Sequence, residues 1–281
     1  MNNTFDWNRF CKVVAKDFRN MWPMFGTTMI ILAALPFAAW LMMYVFGGGD
    51  AHMPADIRLI MIETVAYIAA IMAPSRMYRT WNLRNEGIYY AMLPASKAEK
   101  FCSALLFSLI VCPLAVYLGS MVLDMFLTVV PFGPWQEWIW QGEMGFPFTF
   151  DMSTLSEYAV AEEGAEAFLH LGWMWQLCCW VGYISTVLMF LFTSTIFKRH
   201  KVLQTILWLY VINFAISIIL MPVMVTVFSD SSFMDWFMQL PDRMNGEQMV
   251  NWIFCVTIGF NVLLTALFGW LSWRRLNRMA Y

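Results

Sequence analysis

The chain has 281 residues, 60% of them hydrophobic and 13% charged, with a formal net charge of −2. A water-soluble core of this length cannot hold so much apolar surface, which excludes a soluble globular fold and implies a membrane protein. The near-neutral charge gives no footing for nucleic-acid binding, and none is expected.

The first 23 residues carry neither the short apolar core nor the small-residue cleavage site of a signal peptide. Wound as a helix over 7–22, they place Trp7, Phe10, Cys11, Val14, Phe18, Met21 and Trp22 on one stripe and Arg9, Lys12, Lys16 and Arg19 opposite. Such a helix suits the membrane interface, with its cations near anionic lipid headgroups. Pro23 is expected to end it and to turn the chain into the first span.

Six apolar stretches are long enough to cross a bilayer, at 24–46, 57–74, 101–124, 167–192, 202–228 and 250–273. The expected fold is therefore all-α, a single polytopic domain over 1–281. With the N-terminus in the cytoplasm, fifteen of the seventeen basic residues lie inside. Only Arg58 and Arg243 then lie outside. Lys and Arg resist transfer across an energised membrane, so both termini are expected to be cytoplasmic and the membrane to be the inner one.

The loops are unequal. The segment from Ser75 to Lys100 is long and charged, whereas Phe197–Lys201 is short. The outer segment 131–166 holds seven acids and no Lys or Arg, along with Trp135, Trp138 and Trp140. Thr154 and Glu157 have the spacing of a capping box that opens a short helix there. A second outer segment, Ser229–Met249, reads as short helices broken at Pro241 and Gly246.

No catalytic motif is present. A Gly-Lys dipeptide is absent, so there is no phosphate-cradling loop and no ATP hydrolysis of that type. His-Glu-x-x-His and Gly-x-Ser-x-Gly are also absent. His52, His170 and His200 stand singly, and the outer loops hold no cysteine, so neither a metal centre nor a disulfide framework is expected. Glu63 and Asp124 lie within apolar runs, where acids are costly and often functional. They are candidate pathway acids, although their places near the outer ends of their spans favour edge or helix-pairing roles. His170, near the outer end of the fourth span, is read in the same way.

The cytoplasmic segment after the second span is the most informative. Pro94 stops a short charged helix over 82–93, and Ser96 with Glu99 forms a capping box that starts the third span. Glu86-Gly87, then Leu93-Pro94-Ala95-Ser96, then Glu99-Lys100 entering an apolar helix resembles the permeases of the type-2 class of bacterial ABC exporters. In motif the resemblance covers 84–101. In architecture it takes in the whole chain: an amphipathic N-terminal helix, six spans with both ends inside, and short helices before the last span. The 131–166 segment departs from it, being longer than a minimal permease of this class needs.

The resemblance implies that 82–93 is a coupling helix seated on a separate nucleotide-binding ATPase subunit. Glu86, Tyr89, Tyr90, Leu93, Pro94, Ser96 and Glu99 are the candidate coupling residues. ATP and Mg would be bound by that partner, this chain would be no enzyme, and a second six-span permease, identical or related, would complete the pathway. Two other classes share the topology: a secondary carrier or channel, which needs polar residues or broken helices at mid-depth, and a membrane scaffold or assembly protein without transport.

Overall fold

The computed structural model describes residues 5–47, 52–78, 94–130, 133–135, 137–139, 172–197, 200–229 and 246–278. Every regular element among them is helical. Six of these helices are long and apolar enough to cross a membrane. The second span is Ala55–Met77, the fourth Gly172–Ile196, the fifth Lys201–Ser229 and the sixth Gly246–Arg278. The helix expected over 82–93 and most of segment 131–166, with His170 and the capping box expected at Thr154 and Glu157, lie outside the described residues.

The first span corrects one expectation. Pro23 does not end the amphipathic helix Trp7–Met21. The chain runs on through a π-helical turn, Trp22–Gly26, into Thr27–Ala33 and then Leu35–Phe46. Proline removes one N–H from the helical ladder, and widening the turn by one residue lets the freed carbonyls find donors further on. The third span repeats the device. It comprises Lys97–Leu106, a π-helical turn Phe107–Val111 and Cys112–Thr128, with Pro113 just past the wide turn. Pro113 cannot donate to the carbonyl of Leu109. That carbonyl instead accepts the hydroxyl of Tyr183, 2.7 Å away on the fourth span. A backbone group orphaned at membrane depth is thus satisfied by a neighbouring helix.

The second span is the hub. Ala66, Ala69, Ala70 and Ala73 are wholly buried along one side of it. Helices in lipid gain little from burying apolar surface, so small residues that let backbones approach closely set the packing. Around this alanine stripe gather Phe25, Met29 and Leu32 of the first span, Phe107 and Val116 of the third, and Leu188 and Leu191 of the fourth. The sixth span lies along the fourth, while the fifth touches the second and fourth at few points.

On the amphipathic helix the buried line is Val13, Asp17 and Met21. Trp7, Cys11, Phe18 and Trp22, on the apolar stripe read from sequence, are exposed, as are Lys12 and Arg19. The helix therefore docks on the bundle along a narrow line between its two faces and leaves the aromatic face uncovered, an arrangement suited to an interfacial helix.

Candidate functional site

Hydrogen bonds gather the basic ends of the helices at one end of the bundle. The second span closes at Tyr78, whose N–H donates to the Pro74 carbonyl at 3.3 Å. The Tyr78 carbonyl accepts from Lys201 Nζ, 3.4 Å away at the start of the fifth span. Both residues are buried. At the matching end of the sixth span, Arg275 Nε donates to the Thr195 carbonyl of the fourth at 3.2 Å.

The third span starts at a capping box. Ser96 Oγ accepts the N–H of Glu99 at 3.2 Å, and Glu99 Oε2 accepts the N–H of Ser96 at 2.8 Å. Glu99 is fully buried and does more than cap. Its Oε1 accepts the N–H of Asp6 at 2.9 Å and lies 3.3 Å from the Arg9 guanidinium. Asp6 in turn caps the amphipathic helix by accepting from the N–H of Asn8. One helical turn beyond Glu99, Ser103 donates 2.7 Å to Asp17. A buried carboxylate is tolerable when each oxygen has donors, and Glu99 reaches that state by joining the N-terminal helix to the third span. The capping box was legible as a Ser-x-x-Glu spacing. The link to Asp6 and Arg9, 93 residues away for Asp6, left no local signal.

The described residues on either side of segment 79–93 are therefore tied to four elements. Tyr78 ties one end to the second and fifth spans. Ser96 and Glu99, just past Pro94, tie the other to the third span and the amphipathic helix. Glu86, Tyr89, Tyr90 and Leu93 lie outside the described residues. Ser96→Ala should destabilise the fold by about 1 kcal/mol, the usual cost of a lost N-cap. Thermal unfolding of the purified protein measures this, and an unchanged midpoint would mean that the Glu99 carboxylate alone holds the helix start.

The opposite end holds a second polar cluster, which sequence reasoning did not assemble. Arg58, 1% exposed, pairs with the fully buried Asp124 at 3.1 Å. Its guanidinium also donates to Thr128 Oγ at 3.3 Å and to the Glu137 carbonyl, and lies 5.0 Å over the Trp135 ring. The N–H of Met53 donates to the Pro134 carbonyl at 3.2 Å, and that of Ala55 to Glu137 Oε2 at 3.4 Å. Arg58 thus binds the second span, the third span and the start of the outer segment together. The available signal was a lone Arg and a lone Asp, each at the outer end of an apolar stretch.

Glu63 is 2% exposed, with Tyr117 and Cys179 in its electrostatic surroundings. Asp124 is thus engaged with Arg58, while Glu63 lies between the second, third and fourth spans. Among the described residues no group of three His, Cys, Asp or Glu could hold a metal ion. No family model, curated protein or solved structure matches the chain.

Proposed function

We propose that the chain is the membrane-spanning permease subunit of an ATP-binding-cassette exporter of the type-2 class, driven by a separate ATPase that binds ATP and Mg. The observation that carries this reading is the anchoring of segment 79–93. A segment whose flanking residues are tied to the second, third and fifth spans and to the amphipathic helix suits the passing of a displacement into the bundle. Glu86, Tyr89, Tyr90 and Leu93 supply the contact face for the ATPase, and Ser96 and Glu99 fix the start of the third span behind it. In this reading both termini and the basic end of the bundle face the cytoplasm, the membrane is the inner one, and a second six-span chain completes the pathway.

The reading predicts that a nucleotide-binding ATPase is encoded beside this chain and that the two, expressed together, co-elute through purification. It also predicts that a cysteine placed at Ser96 resists labelling from outside intact cells while one at Ser153 labels readily. A stable six-span protein that associates with no ATPase would favour the carrier, channel or scaffold classes.

A further inference from the structure

Where the fifth span stands away from the bundle, an apolar groove of about 220 Å³ opens between the fourth, fifth and sixth spans. Thr193, Phe197, Thr205, Trp208, Ile212 and Phe268 are among its lining residues. Thr193 and Phe197 end the fourth span, Thr205 and Trp208 begin the fifth, and Phe268 lies two turns before Arg275. The groove thus occupies the half of the membrane at the basic end. Beside it is a recess of about 260 Å³ lined by Phe192, Leu271, Arg274 and Arg275, and Phe192 borders both spaces.

The two arginines are held at this mouth. Arg275 spends one N–H on the Thr195 carbonyl, and Arg274 lies 5.0 Å over the Trp270 ring. Both are exposed, and among the described residues neither forms an ion pair. A guanidinium has five donors in a fixed fork suited to a phosphate, so most of their donor capacity is unspent. An apolar slot beside two guanidiniums that pair with no acid among the described residues complements a molecule with a hydrocarbon tail and an anionic head.

We propose that this groove binds an anionic phospholipid from the leaflet at the basic end. One acyl chain lies in the slot between the last three spans, and the phosphate rests on Arg274 and Arg275. The lipid then fills the gap that leaves the fifth span so sparsely packed and bridges it to the sixth. This inference rests on the six-span arrangement and not on the transport reading, and it holds equally for a carrier or a scaffold.

Native mass spectrometry of the purified full chain, titrated with phosphatidylglycerol and with phosphatidylcholine of the same acyl chains, tests it. Wild type should retain the anionic lipid by about twenty-fivefold over the zwitterionic one, since each of the two basic residues near the headgroup contributes roughly fivefold. The R274Q/R275Q double variant should bring the two lipids to parity, and R274K/R275K should restore most of the preference, because lysine keeps the charge. Ile212→Trp narrows the slot and should weaken retention of both lipids several-fold while leaving thermal unfolding unchanged. Equal retention of the two lipids by wild type would overturn the proposal. So would a preference that survives in R274Q/R275Q, or undiminished binding in I212W.

Discussion

Asp124→Asn is expected to lower the melting temperature of the purified protein by about 10 °C, the largest stability loss from any single change considered. The substitution keeps shape and one acceptor oxygen and removes only charge. Arg58 is then left 1% exposed without its carboxylate. A guanidinium cannot escape by releasing its proton, so the charge stays buried against Thr128 Oγ, the Glu137 carbonyl and the Trp135 ring, with the Glu137 carboxylate as a weaker counter-charge than the lost Asp124. Breaking one side of a buried pair in this way costs about 3–5 kcal/mol, and each kcal/mol moves the midpoint of a protein of this size by about 2–4 °C.

Arg58→Met should cost less than Asp124→Asn, although it removes more contacts, because the remaining carboxyl group can take up a proton and become neutral. The double variant Arg58→Met, Asp124→Leu should regain most of the loss, since a buried pair replaced by apolar groups of similar volume is often near neutral. Scanning fluorimetry in detergent measures all three. A double variant as unstable as Asp124→Asn would show that the ties to Trp135 and Glu137, and not the ion pair, carry the stability.

The number and rough places of the spans were legible because a bilayer demands about 20 apolar residues per helix whatever the helix packs against. The prolines were misread at Pro23 for a physical reason. Proline is a helix stop where water can satisfy the freed carbonyl, but in a membrane the helix must continue and find another donor. At Pro113 that donor is Tyr183, 74 residues further along the chain from Leu109. No periodicity within the third span announces it. Glu99 shows the same limit. Its bond to Ser96 is local and was readable, whereas its bonds to Asp6 and Arg9 depend on how the amphipathic helix docks. That docking follows the line Val13, Asp17 and Met21, which the obvious apolar stripe on the same helix masks. Arg58 and Asp124 were each conspicuous alone, but pairing them requires knowing that the second and third spans are neighbours.

On the permease reading proposed above, reversing Glu86 to Lys while cutting Tyr89 and Tyr90 to Ala should reduce co-elution of the ATPase subunit by tenfold or more and abolish substrate-stimulated ATP turnover. A reversed charge at a docking contact is repulsive, and loss of two aromatic anchors removes the residue type that most often dominates such contacts. Thermal unfolding of the permease alone should not change, because the substitutions leave the anchors at Tyr78 and Ser96 intact. Glu99→Gln should behave differently. It keeps size and an acceptor oxygen but loses the ion pair with Arg9, so the third span is less firmly tied to the amphipathic helix. Association should stay within about twofold of wild type, since no contact face is touched, while stimulated turnover falls several-fold because the loop no longer moves the helices behind it as one body. Purifying each variant with its ATPase and measuring co-elution beside ATP turnover separates the two effects. Unchanged association and turnover in the triple variant would show that 82–93 is not where the ATPase docks, and the permease reading would lose its main support. A Glu99→Gln protein that loses association and turnover together would mean that the clamp shapes the docking face itself and does not relay its motion.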